Sequence, residues 1–146
     1  MEDIHQYQVN LKWKSGSEGL LSSPDLPQTI EVAIPPGFPM GVPNIWSPEH
    51  LYIASVNACL MTTFLVIAQN SKLEFINFES SASGTVDKVG EFFKVTEITL
   101  KPVLTVPPTV RPERAQRILE MSKKNCLITN SINTTVYLEA RVVKGS

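Results

Sequence analysis

The sequence predicts an α+β domain, and three observations carry that expectation. Short stretches near both ends alternate apolar and polar residues, which is the period of a strand. The run from Ser47 to Ala68 is apolar on every face of a helix. A second, amphipathic helix precedes the last strand, giving the order β-β-(β)-α-β-β-α-β. At 146 residues, with no internal repeat or low-complexity tract, residues 1–146 read as a single domain.

"YQVNLKW" sets Tyr7, Val9, Leu11 and Trp13 against Gln8, Asn10 and Lys12, a half-buried strand. "SGSEG" (15–19) reads as a turn, and "LLSSPDLPQ" as a second short strand or loop. "TIEVAI" (29–34) is the next strand, with Ile30, Val32 and Ile34 on one face. The segment 35–46 holds four of the 11 prolines, but Phe38, Met40, Ile45 and Trp46 make it too apolar for a solvated linker. It reads as a packed loop.

The long helix has a crisp start. Ser47 is an N-cap, Pro48 fits the first helical position, and Glu49 favours the positive end of the dipole. A sheet can cover one side of such a helix, and so short a chain has little left for the other. The all-round apolar surface therefore predicts a second subunit, a homodimer. Ser55, Asn57, Thr62 and Thr63 argue against a membrane span.

"LEFINFESSASGTV" (73–86) and "FFKVTEITLKPVLTV" (92–106) read as a hairpin joined by "DKVGE". In the second strand Phe93 and Val95 share one phase, while Ile98, Leu100 and Leu104 share the other. A bulge near Thr96–Glu97 accounts for the switch. Residues 111–125 form the amphipathic helix, with Ala115, Ile118 and Leu119 inward. "TTVYLEARVV" (134–143) alternates cleanly and reads as one last strand.

The net charge of −1 gives no basic footprint for nucleic acid or an anionic membrane surface. "MEDIHQYQVN" has neither the basic nor the apolar region of a signal peptide, so the expected location is cytoplasmic. The two cysteines stand 67 positions apart without CxxC spacing, which suits free, catalytic or redox-active thiols better than a structural disulfide.

Each candidate residue has a structural reading beside its functional one. Cys59 is a small core hydrophobe or a working thiol, and the second requires donors or a cation nearby to favour the thiolate. Cys126 is a packing residue at a helix boundary or a second thiol. Glu49 is a first-turn residue or part of a site. Ten residues of helix put it about 15 Å from Cys59 along the axis, too far to touch within one helix. Any joint work would need a cysteine of the partner subunit or an intermediary residue. His5 and His50 lack the short spacing of zinc ligands with the cysteines, so no metal is expected.

"SPEHLYIASVNACL" resembles the helix of the OsmC/Ohr family, the osmotically inducible protein C and organic hydroperoxide resistance proteins. Pro48, Glu49, Leu51, Ala54, Ala58 and Cys59 carry the pattern. "VDKVGEFFKVTEITLKPVLTVP" is similar to the family's hairpin, and "AQRILEMSKKNCLITNSINTTVYLEARV" to its second helix, second cysteine and last strand. The resemblance implies an OsmC-like, intertwined homodimer, with central buried helices, antiparallel sheets wrapped outside and sites at the subunit interface.

The implied activity is a thiol-dependent peroxidase. Cys59 would attack an organic hydroperoxide and become a sulfenic acid, and Cys126 would resolve it as a disulfide. Glu49 would contribute to the site. No cofactor is implied; an external dithiol or thiol, such as a lipoylated protein, would reduce the disulfide. Two departures stand out. The family's arginine in the turn after the first strand is absent from "KSGSEGLL", and Leu127 stands where Cys-Pro is common, a change expected to alter only the local turn. The missing arginine keeps an alternative open: a non-catalytic ligand-binding protein or a thiol redox sensor on the same fold.

Overall fold

In a computed structural model, which describes residues 4–145, the chain divides into two compact units, Met1–Leu51 and Tyr52–Ser146. The first three residues of the segment read as lacking a leader lie outside the described residues.

The first unit is an antiparallel meander of β1 (Asn10–Ser15), β2 (Glu18–Ser23) and β3 (Leu26–Ala33). The β1–β2 turn needs only two residues, because Gly16 takes the left-handed conformation at φ 53°. Leu11 pairs with Leu21, and Leu21 with Ile30. The strand expected to start at Tyr7 begins at Asn10, and its face is not half-buried: Leu11 and Trp13 are 66% and 70% exposed. Alternation sets which residues share a face but not what covers it.

The loop to the helix is held by main-chain bonds, Phe38 N–H to Pro35 O at 3.4 Å and Val42 N–H to Ile34 O at 2.8 Å. Ser17 Oγ also donates to Met40 O at 2.7 Å. Its turns put Met40 and Asn44 at positive φ. The loop is tied down, though Met40 and Trp46 stay exposed.

α1 (Pro48–Asn70) starts as read. Ser47 Oγ accepts the His50 N–H at 3.2 Å, and His50 Nδ1 accepts the Ser47 N–H at 3.1 Å. This is a reciprocal cap with histidine in place of the usual glutamate. The helix ends where Lys72 turns left-handed (φ 55°) and Leu73 N–H reaches back to Ala68 O at 2.9 Å.

The second unit contains a four-stranded sheet. β4 (Asn77–Val89) and β5 (Phe92–Val106) form a long antiparallel hairpin. Its turn is Gly90–Glu91, tighter than "DKVGE", because Gly90 supplies φ 63°. The expected bulge is present: Thr85 faces Glu97, Val86 faces Val95, and Thr96 is left over.

α2 (Pro112–Lys124) and a one-turn α3 (Leu127–Asn130) follow. The last strand is not continuous. β6 (Thr135–Leu138) and β7 (Arg141–Lys144) both pair parallel with β5, with a break at Glu139–Ala140. Glu139 N–H still reaches Leu100 O at 2.8 Å, so the chain bends without leaving the sheet edge. The observed order is βββαββααββ.

Val56, Leu60, Phe64 and Ala68 make one buried stripe along α1, meeting Ile98, Leu100 and Val136 at one end and Leu104, Val106 and Leu119 at the other. Gly84 of β4 allows close approach, since a methyl there would lie 2.6 Å from Ile53 Cδ1. Asn57 bonds across to β4, donating to Ser80 O at 2.9 Å and accepting from Ser80 Oγ at 2.6 Å.

The all-round burial expected for α1 does not occur within the chain: Met61, Leu65 and Val66 are 39%, 40% and 59% exposed. By length and mean hydropathy, 1.9 over its most apolar window, α1 would suffice to cross a membrane. Its stripe instead packs on the sheet.

Candidate active site

Cys59 lies on the flank of the buried stripe, next to Leu60, and is half-buried. Thr63 follows one helical turn later on the same flank, with Oγ1 3.8 Å from Cys59 Sγ. Cys126 is fully buried between α2 and α3. Its backbone is extended (φ −68°, ψ 119°), it serves as N-cap of α3, and its carbonyl accepts the Asn130 N–H at 3.0 Å. Both cysteines are free, and the structure brings them together.

The first N–H groups of a helix have no acceptor within it. At α3 they act on the two sulfurs: the Ile128 and Leu127 N–H groups favour the Cys59 thiolate, and the Thr129 N–H that of Cys126. Burial pushes the Cys59 thiol up. Against it act the Cys126 thiol, the Ile128 N–H, the Thr63 hydroxyl and the Leu127 N–H, and together they hold Cys59 below the ordinary cysteine value. Cys126 moves the other way. Burial and its bond to Cys59 push it up, against the hydroxyl and N–H of Thr129. One thiol is thereby poised to ionise and its neighbour to stay protonated.

Cys59 opens onto a cavity of about 820 Å³ whose walls are mostly apolar, with Thr62, Val66, Ile67, Met121 and Leu127 among them. Such walls suit a substrate with a hydrocarbon body.

Glu49, the third residue singled out, belongs to the N-terminal unit. There it lines an apolar cavity of about 590 Å³ with Trp13 and Phe38. Its Oε1 is buried without a hydrogen-bond partner among the described residues. Lys14, the first residue of "KSGSEGLL", is paired with Glu31 at 2.9 Å. Ten residues of α1, about 15 Å of axial rise, separate Glu49 from Cys59. Among the described residues no cluster of histidine, cysteine and carboxylate could hold a metal.

Sequence reasoning missed Thr63, Leu127, Ile128 and Thr129. The i,i+4 spacing from Cys59 marks Thr63. The two amides leave no trace, since every residue but proline has an N–H. Leu127 does more than alter the local turn: a proline there would remove one of the donors to Cys59.

The OsmC-like protein family model matches residues 41–140. No curated protein matches the sequence. Among solved structures, an OsmC-like protein of unknown function from Vibrio cholerae superposes with a TM-score of 0.84 at 21% identity, over 94% of this chain and 99% of that one. An organic hydroperoxide resistance protein from Elizabethkingia anophelis gives 0.78 at 19%, over 99% and 100%. The organic hydroperoxide resistance protein OhrB of Bacillus subtilis gives 0.65 at 18%, over 94% and 98%. At these identities the likeness is one of fold. The family match covers most of the chain, both cysteines and Glu49, and on it the chain belongs to the OsmC-like protein family.

Proposed function

We propose that this protein is a thiol peroxidase that reduces organic hydroperoxides, with Cys59 as the peroxidatic and Cys126 as the resolving thiol. The observation that carries the reading is the pairing itself: a half-buried thiol held below its ordinary pKa, opening on an apolar cavity, beside a buried thiol held above it. The Cys59 thiolate attacks the terminal oxygen of the hydroperoxide. The O–O bond breaks, and the alkoxide takes a proton and leaves as the alcohol. The Cys126 sulfur then attacks the Cys59 sulfenic acid, forming the S–S bond and releasing water. An external dithiol, such as a lipoylated protein, returns both thiols by exchange.

The four donors around Cys59 do part of the work that the absent arginine would do. The proposal includes a cytoplasmic homodimer in which Glu49 of one subunit serves the Cys59 of the other, since one helix holds the two apart. Support comes from the family match, from neighbours named organic hydroperoxide resistance proteins, and from the exposed apolar residues of α1.

A second reading, a redox sensor that forms one disulfide and stops, is favoured by the buried Glu49 oxygen, which has no hydrogen-bond partner among the described residues. The test is turnover of cumene hydroperoxide with dihydrolipoamide by the wild type, Cys59→Ser and Cys126→Ser. The enzyme reading expects turnover in the wild type, none with Cys59→Ser, and a loss of at least tenfold with Cys126→Ser. A single stoichiometric disulfide without turnover supports the sensor. A wild type that leaves peroxide intact with both thiols titratable overturns both readings.

A further inference from the structure

We infer that the reducing thiol attacks the Cys59 sulfur of the Cys59–Cys126 disulfide, and that Thr129 is a positioning residue that receives the departing Cys126 thiolate. This rests on the proposed pairing of the two cysteines, but not on which oxidant forms it. The first observation is access. Cys59 lines the open cavity of about 820 Å³, whereas Cys126 is fully buried and forms no part of its wall. Thiol–disulfide exchange requires the entering sulfur to reach the sulfur it attacks. Only Cys59 can be reached from the cavity.

The second observation is an unused donor. Thr129 Oγ1, on the first turn of α3, is buried and has no conventional hydrogen-bond partner among the described residues. The group it favours electrostatically is charged Cys126, and its N–H acts in the same direction. A buried hydroxyl without a strong acceptor costs stability. It becomes useful when an anion forms beside it. In the protonated resting state Cys126 is a weak acceptor, but as a leaving thiolate it is a strong one.

The first thiolate of a dithiol attacks Cys59 Sγ, the Cys59–Cys126 bond breaks, and Cys126 leaves as a thiolate stabilised by Thr129 and then protonated. The second thiol of the reductant, losing its proton, attacks the mixed disulfide at its own sulfur and expels Cys59 as a thiolate. The reductant departs as a cyclic disulfide. Cys59 leaves readily because its own donors favour the anion.

The test forms the disulfide with diamide, so that failure of the peroxidase reading and failure of this one are distinguishable. The oxidised protein is mixed briefly with glutathione, quenched in acid, alkylated with N-ethylmaleimide and mapped by peptide mass. The expected product carries glutathione on Cys59 and maleimide on Cys126. Glutathione on Cys126 overturns the inference, as does failure of diamide to link the two. In stopped flow, Thr129→Val should slow reduction by dihydrolipoamide about tenfold while the attack of Cys59 on hydroperoxide, read as peroxide consumed in the first turnover, keeps its rate, with Thr129→Ser restoring the reduction. Equal slowing of both half-reactions, or of neither, would remove Thr129 from the step.

Discussion

Cys59 draws its acidity from small neutral donors rather than from a cation. Thr63 supplies one of them from a single turn away. Removing a donor that favours the thiolate raises the pKa, so Thr63→Val should move the midpoint of Cys59 alkylation by iodoacetamide upward, by roughly one pH unit at most. In the wild type that midpoint should fall below that of a free cysteine, and that of Cys126 above it. A wild-type Cys59 midpoint at or above a free cysteine's would contradict the geometry. Cys59 and Cys126 stood out in the sequence as the chain's two cysteines, whereas Glu49, one of 14 acidic residues, stood out only by its place at the start of the long helix. Thr63 was visible only as one polar residue in an apolar helix. The Leu127 and Ile128 amides were not legible, because their use depends on where the chain turns and not on their side chains.

The start of α3 is the element on which the site depends. Leu127 is its first residue, and Cys126 before it is already extended. Proline is tolerated at a first helical position and after an extended residue. Leu127→Pro should therefore leave thermal stability nearly unchanged, delete one N–H to Cys59, raise its alkylation midpoint and slow its oxidation several-fold. Loss of stability of several kcal/mol without a change in midpoint would assign Leu127 a packing role instead. In α1 the buried stripe sets the opposite expectation. Leu60→Ala should cost roughly 2–5 kcal/mol in chemical denaturation, the range for emptying a packed core site. The two longer helices and the hairpin bulge were readable from periodicity and phase, whereas the one-turn α3 was not. The split between β6 and β7 was not, because "TTVYLEARVV" keeps its alternation through the bend at Glu139–Ala140 and nothing in composition marks it.

At the scale of the whole molecule, each unit leaves apolar surface uncovered: Leu11 and Trp13 in the first, Met61, Leu65 and Val66 in the second. A homodimer that covers α1 should sediment at twice the chain mass at micromolar concentration, and Leu65→Lys should shift it toward the monomer while helical circular dichroism is retained. A wild type that sediments as a monomer would remove the route by which Glu49 reaches a cysteine of a second chain. The expectation of self-association rests on an excess of apolar surface on one helix, which does not say how that surface would be covered. The chemistry is tested more directly than the assembly. One equivalent of cumene hydroperoxide is added to the fully reduced wild type, and the products are mapped by mass without reductant. The expected result is one Cys59–Cys126 disulfide per chain with one equivalent of cumyl alcohol. Unconsumed peroxide with both thiols free, or oxidation confined to Cys126, would contradict the assignment of Cys59 as the attacking thiol.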